Sequence, residues 1–387
     1  MSDLNAVKLR VNGIDYGGWL EVEISAGIER QARDFNLAIT RSWPGATEIP
    51  RRVKAGDICE VWIGADKVLT GYVDATPINY DENSITIGVK GRSKTADLID
   101  CSAEHKNGQW RNVKIERIAA DLAKPYGINI KTQVDTGSLI SDHQIDTGET
   151  VFESLDRLMS LRQLLSTDDA DGNLIFIEAG SGGNATTSLE LGKNILTGGT
   201  GLDSKDVFSK YICKGQRAGS DLDYGDVVSE ESGDVEDDDE SADFTASSNI
   251  TFSAITTSQA IGRYRLLIIK ETAQVSKADC KSRAEYERDY RPAKALETTY
   301  TVQGWRQGDG ALWVPNQMVR VIDPIIGFNS DFLIVEVTYI IGSSGTICTL
   351  KVAPREGFVL SHQKKSAKKK SAKKGAGGDT WGEVNTK

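Results

Sequence analysis

Apolar residues recur at every second position through much of the first hundred residues, and that period predicts strands. Val7, Leu9 and Val11 alternate ahead of the turn pair Asn12-Gly13. Phe35, Leu37 and Ile39 follow, then Cys59, Val61 and Ile63, and finally Ile85, Ile87 and Val89 behind the turn Asp81-Glu82-Asn83. Runs this short, separated by Gly, Asn, Asp and Pro, read as a β-barrel or sandwich of about six strands.

After Cys101 the period lengthens. Ile115, Ile118, Ala119 and Leu122 share one face at helical spacing, and Pro125 with Gly127 ends that helix. Thr150-x-x-Glu153 is a capping box and opens a second helix with the stripe Val151, Leu155, Leu158, Met159. Ile128 to Ile130 reads as a strand, and Leu164 to Ser166 with Leu174 to Glu178 as a hairpin turning at Asp171-Gly172. The Gly, Ser, Thr and Asn content of residues 180 to 201 predicts a crossing between domains. Lys210 to Lys214 and Gly262 to Lys270 resume strands, and Ser276-x-x-Asp279 opens a charged helix reaching about Arg288.

The last third repeats the first in outline. Val314 to Asp323, Phe332 to Ile340 and Thr346 to Val352 follow the same plan as Val53 to Ile63, Val68 to Asp74 and Ser84 to Lys90: a lead-in strand, a long strand, a polar turn and a returning strand. The fold class expected is therefore mainly β with α+β parts, built on two similar β-barrels. The domains expected are a first barrel over 1–100, a small α+β domain over 101–190, and linker strands with an acidic loop and a charged helix over 191–295. A second barrel follows over 296–360, with strands contributed from 191–215, and then a Lys-rich tail over 361–387.

Charge changes the picture at two places. Residues 219–243 hold 12 acids and no base, and residues 361–387 carry a net +6. The chain totals −10, so the rest sums to −4 and has no basic stripe of the kind that coats nucleic acid. Sequence-specific DNA binding is disfavoured. The acidic run is too poor in apolar groups to offset the entropy of ordering, which predicts a solvated loop, and the tail has the composition of a disordered solubilising segment. Five dispersed cysteines fit reduced thiols in a protein made in the cytosol. The start MSDLNAVKLRVNG lacks a secretory pattern, and the most apolar run, Phe332 to Ile341, is half the ~20 residues of a membrane-spanning helix and is interrupted by Glu336.

Candidate chemistry is sparse. The three histidines, His105, His143 and His362, include no pair at the spacing of a helical zinc site, and Lys193 follows Gly192 without the order that cradles phosphate. Cys101 and His105 raise the idea of a nucleophile pair, but a thiol at a domain junction is ordinarily structural. Thr167 to Glu178 matches a calcium loop at Asp169, Asp171, Gly172 and Glu178. However, Thr167 stands where the first ligand belongs and a strand follows in place of a helix, so an Asp-Gly turn is the expectation. No residue is nominated as catalytic, cofactor-binding or metal-ligating, and no cofactor is expected.

Several separated stretches carry a resemblance. Val11 to Trp19, Phe35 to Thr40 with Trp43-Pro44, Gly71-Tyr-Val-Asp74 and above all Gly91-Arg-Ser-Lys-Thr-Ala-Asp-Leu-Ile-Asp-Cys-Ser-Ala103 resemble the baseplate hubs of Mu-like contractile-tailed phages. Arg283-Ala-Glu-Tyr-Glu287, Val302-Gln-Gly-Trp305 and Leu312-Trp-Val-Pro-Asn316 resemble the same family, and the likeness spans about residues 5 to 358. The resemblance implies a non-enzymatic virion protein of the tail baseplate, related to the hubs of T-even phages and the base of type VI secretion spikes. It implies a homotrimeric ring joining a central spike to the tail tube and other baseplate proteins, around a lumen that DNA crosses without specific binding. The chain is then made and assembled in the host cytoplasm, with the α+β domains outside the ring. The competing readings are a tail-tip protein that binds or degrades cell-wall peptidoglycan, and a completion factor or chaperone that holds the spike transiently.

Overall fold

The computed structural model describes residues 4–40, 53–80, 85–162, 164–218, 249–274 and 277–358. The acidic run 219–243, the Lys-rich tail, His362 and Trp43-Pro44 lie outside the described residues.

The first hundred residues form β1 (Val7–Val11), β2 (Ile14–Tyr16), β3 (Glu21–Gly27), β4 (Asp34–Thr40), β5 (Ile58–Ile63), β6 (Asp66–Ala75), β7 (Ile78–Tyr80) and β8 (Ile85–Ser93). Asn12 and Gly13 both take positive φ, 50° and 81°, as the hairpin between β1 and β2 requires. The alternating residues of the sequence pattern point inward: Leu9, Leu37, Val61 and Ile63 are fully buried.

The α+β part consists of α1 (Ala96–Asp100), β9 (Gln109–Val113), α2 (Ile115–Ala123), β10 (Ile130–Thr132), β11 (Ile140–Gln144), α3 (Val151–Arg162), β12 (Leu165–Asp168) and β13 (Leu174–Ile177). The capping box is formed in both directions, with the Thr150 N–H on Glu153 Oε2 at 2.8 Å and the Glu153 N–H on Thr150 Oγ1 at 3.1 Å. Gly127, at φ +65°, ends the turn that follows α2. The helical stripes of α2 and α3 bury Ile118, Leu122, Leu155 and Leu158 in one core with Phe176 of β13.

Beyond it run β14 (Leu189–Glu190), β15 (Ile195–Thr200), β16 (Lys210–Ala218), β17 (Asn249–Thr257), β18 (Leu266–Gln274), α4 (Lys277–Ala295), β19 (Thr298–Gln303), β20 (Met318–Asp323), β21 (Phe328–Gly342) and β22 (Gly345–Ala353). Residues 180–201 are thus not a mere crossing; they supply β14 and β15. One of the glycines that suggested a linker serves packing, because a Cβ on Gly198 would lie 2.9 Å from the Tyr300 ring. Helix α4 runs past Arg288 and through Pro292 to Ala295, held by Arg283 and Arg291 on either side of Glu287 at 2.9 and 2.7 Å. Its last turn is pinned by Tyr290, which meets Phe358 edge-on.

Strands from both ends of the chain form one fourteen-stranded sheet. The first set is ordered β3-β4-β8-β6-β5-β1 and the second β15-β19-β22-β21-β20-β14, so six strands succeed one another in the same spatial order and the same chain order. The register agrees in detail. A bulge interrupts β6–β8 between Val73 and Ala75, and one interrupts β21–β22 between Ile334 and Glu336. Fixing those bulges on each other sets Cys59 against Val319, Leu37 against Tyr300 and Val89 against Leu350, all buried. One difference remains, since β1 meets β5 antiparallel whereas β14 meets β20 parallel.

The expected pair of closed barrels is not found. Among the described residues neither set closes on itself by hydrogen bonding. Instead the outer edge of β3 is taken by β21, Ile24 pairing with Tyr339 and Val22 with Ile341. The edge groups that a barrel satisfies by closure are satisfied here by the opposite set. Both sets share one core, with Trp305 and Trp313 beside Leu9, Ile24 and Val61.

Candidate functional site

The residues weighed for chemistry are drawn into structural roles. The Cys101 N–H closes α1 on the Asp97 carbonyl, and its thiol lies against the Tyr126 hydroxyl. His105 instead stacks on Trp110 with ring centroids 4.4 Å apart, so the two do not form a nucleophile pair. All five cysteines are free thiols, and burial raises the pKa of Cys59, Cys213, Cys280 and Cys348.

His143 belongs to no motif in the sequence, yet the fold buries it against α3, with Nε2 and Ser154 Oγ 2.9 Å apart. Burial, and then the positive Arg157, push its pKa down to about 4. Neutral His143 is therefore part of the native state. Its depressed folded pKa gives stability that is present above the ordinary value of 6.5 and lost as pH falls from there towards 4. The loss is expected to reach about 3 kcal/mol at the acid end. Urea titrations at pH 7 and pH 4.5 on the parent and on His143→Gln should show the variant losing less; equal losses would contradict the assignment.

The calcium-like run is a knot between segments. Asp168 is 1% exposed and meets Arg33, Asp169 meets Lys131 at 2.6 Å, Asp171 meets Lys67, and Glu178 faces Arg355 at 3.6 Å. Each carboxylate thus turns to a different cation rather than to a common centre. Asp169 Oδ1 also accepts the N–H groups of Asp171 and Asn173, closing the turn. Among the described residues no group of three or more His, Cys, Asp or Glu converges on a metal position.

Two clefts remain. One of about 500 Å³ lies between α4 and the segment after β15; of its charged lining residues, Glu287, Arg291, Lys294 and Glu297 pair with one another or with Glu29, and Asp203, Lys205 and Asp206 face them from the other side. The other, about 370 Å³, lies between the two strand sets beside Ile24, Arg33, Asp66, Val314 and Tyr339. Its charges are also engaged, Asp66 with Arg306 at 2.8 Å and Arg33 with Asp168 at 3.3 Å. What the geometry builds with most care is the junction itself. The Ile28 N–H donates to the Val335 carbonyl at 2.8 Å, and the Tyr339 hydroxyl donates to the Trp313 carbonyl. Arg30 bridges Asp34 on β4 and Glu336 on β21. These contacts hold the two strand sets together within one chain. Among the described residues no helix is long and apolar enough to cross a membrane.

Comparison with known proteins points to phage tail baseplates. Residues 6–93 match the N-terminal domain of Mu phage baseplate assembly protein GpP-like sequences, 95–178 the second domain of gp44-like baseplate hub proteins, and 276–361 the fourth domain of GpP. The baseplate hub protein gp44 of Escherichia phage Mu is 32% identical over 98% of this chain and 94% of its own length. Among solved structures, the 43 kDa tail protein of prophage MuSo2 from Shewanella oneidensis superimposes with a TM-score of 0.76 at 31% identity, covering 92% of this chain and 99% of its own. A tail protein from Neisseria meningitidis shares the fold at TM-score 0.73 and 20% identity, over 90% of this chain and 96% of its own. A type VI secretion component of E. coli shares it at TM-score 0.54 and 12% identity, over 91% and 78%.

Proposed function

Since this chain belongs to the Mu-type phage baseplate hub proteins, we propose that three copies close into a ring that joins the central spike to the tail tube and surrounds the path of the DNA. The chain is a structural component of the tail baseplate, and the finer reading rests on one observation. Two strand sets of the same order are joined side by side within one chain, so three chains present six like units. A ring of that kind mates with a threefold spike on one face and a sixfold tube on the other.

Function of this sort needs no reaction centre, and the buried ion pairs and neutral histidine serve the frame. A body summing to −4 outside its two biased segments repels phosphate weakly and offers sliding DNA no place to stop. The ring is made and assembled in the host cytoplasm. Sedimentation equilibrium over a range of concentrations is expected to show a species of three times the 42.1 kDa chain mass. A strict monomer at micromolar concentration would overturn the ring. Release of soluble fragments from purified peptidoglycan would favour the cell-wall reading instead.

A further inference from the structure

We propose that Cys213 and Cys280 form a latent cross-link site, a dithiol in the newly made chain that a small-molecule disulfide in the surroundings oxidises to a bond fastening α4 to its three-stranded sheet. The site belongs to a single chain and stands whether or not three chains close into a ring.

Alternation along β16 sets the first thiol. Tyr211, Cys213 and Gly215 turn to one face and are buried, whereas Lys214 and Gln216 turn to the other and are exposed. β16 is the middle strand, paired with β17 on one side and β18 on the other, so Cys213 lies at the centre of the covered face. Helix α4 presents Cys280, Ala284 and Glu287, which recur at helical spacing and are buried. Both cysteines are wholly inaccessible and share one small core with Tyr211 and Ala284. Gly215 and Ala284 put little bulk between strand and helix, and the two thiols lie within hydrogen-bonding reach of each other. The other cysteines are placed differently. Cys59 and Cys348 fill the large core of the two strand sets, and Cys101 lies against the Tyr126 hydroxyl.

Packing decides when the bond forms. The thiolate is the form that attacks a disulfide, and burial raises the pKa of both thiols, so the closed structure is unreactive. Reaction needs a local opening, and Cys280 occupies the place where one costs least. It lies in the first turn of α4, while the far end of the helix is held by Tyr290 on Phe358. With that turn open, the Cys280 thiol gives up its proton and the thiolate attacks one sulfur of oxidised glutathione, forming a mixed disulfide and expelling one glutathione thiolate. Closure brings Cys213 to the Cys280 sulfur, and the Cys213 thiolate displaces the second glutathione thiolate. The chain is oxidised by two electrons, one glutathione disulfide is reduced to two thiols, and the two cysteine protons end on glutathione. A reducing cytosol drives the same exchange backwards, so the bond belongs to the chain after it has left the cell.

Reduced full-length chain, incubated with oxidised glutathione, denatured and titrated with Ellman's reagent, is expected to lose two of its five free thiols. Peptide mapping should join the Cys213 segment to the Cys280 segment of the same chain. Cys213→Ala should stop at the mixed disulfide on Cys280, and Cys280→Ala should leave Cys213 unmodified. In the oxidised parent, amide hydrogen exchange in the first turn of α4 should slow by tenfold or more, and dithiothreitol should restore it. The parent alone supplies the thiol count, the linkage and the exchange rate, so a variant that misfolds leaves the test intact.

A parent that keeps all five thiols in excess oxidised glutathione, or that links any other pair, overturns the site. A bond between Cys213 and Cys280 that leaves exchange in α4 unchanged overturns the fastening. Glutathione trapped on Cys213 in the Cys280→Ala variant overturns the order of attack.

Discussion

Gly91→Val is expected to reduce stability by about 4 kcal/mol or more, enough to leave most of the chain unfolded or insoluble. The reason lies in how closely β6 and β8 approach where they cross. A Cβ on Gly91 would fall 2.2 Å from the Tyr72 carbonyl oxygen and 2.7 Å from the Phe35 ring. A Cβ on Gly71 would fall 1.9 Å from the Arg92 carbonyl oxygen. Neither obstacle is a flexible side-chain tip. Two are main chain in the middle of the sheet, and the third is a ring 2% exposed in the core. Relief would require β6 and β8 to separate, breaking the pairs Gly71–Ser93 and Val73–Gly91. Gly342→Ala is the control, since a Cβ there meets nothing within 4 Å, and its effect should stay within about 0.5 kcal/mol. Urea unfolding followed by tryptophan fluorescence measures both. A Gly91→Val chain as stable as the parent would mean that the crossing is looser than described.

The second large effect is expected at Asp168. Its Oδ2 accepts the Arg33 main-chain N–H at 3.1 Å, while its Oδ1 accepts from Arg33 Nε at 3.3 Å. The same guanidinium donates to the carbonyls of Asp168 and Val68. Burial raises the Asp168 pKa and the Arg33 charge opposes that rise only in part, so the carboxylate depends on this partner. Asp168→Ala strands Arg33 in a site where its side chain is 19% exposed, and breaking such a pair costs about 3–5 kcal/mol. Removing both charges together, as Arg33→Met with Asp168→Leu, should recover much of the loss, because a packed apolar pair replaces the desolvated ions. The pair ties the β12–β13 hairpin to the strand set formed by the first hundred residues, so Asp168→Ala should also expose the link between β8 and β9 to limited proteolysis. Equal stability of the single and double variants would show that the pair is not coupled.

The alternation at Val7, Leu9 and Val11 and the helical stripes of α2 and α3 were legible because each element buries one face, and the period of that face survives in the sequence. Thr150 and Glu153 announced a helix start because both partners of the cap lie three residues apart. The doubled strand plan was visible in outline for the same reason, although its exact register was not. That register is set by bulges, and the residues at them, Asp74 and Val335, have nothing in common. β15 escaped because its sequence ILTGGT has no alternating face; Gly198 lies under the Tyr300 ring, a contact made across a hundred residues of chain. His143 with Ser154 was equally silent, since neither type nor spacing distinguishes a buried histidine from an exposed one. The pairing of β3 with β21 could not be read at all. Strand edges carry only main-chain groups, which are the same in every sequence, so the residues that joined the halves left no pattern of their own.

That last pairing also bears on how the chain is made. Ile24 leaves the ribosome roughly 300 residues before Tyr339, and at ordinary rates of synthesis the gap is about 15 to 60 s. Throughout that interval one strand of the nascent protein displays a bare flank while neighbouring polysomal copies display the same flank. Glu21 and Glu23 project from it, and the repulsion between their charges keeps young chains from zipping together until the proper mate arrives.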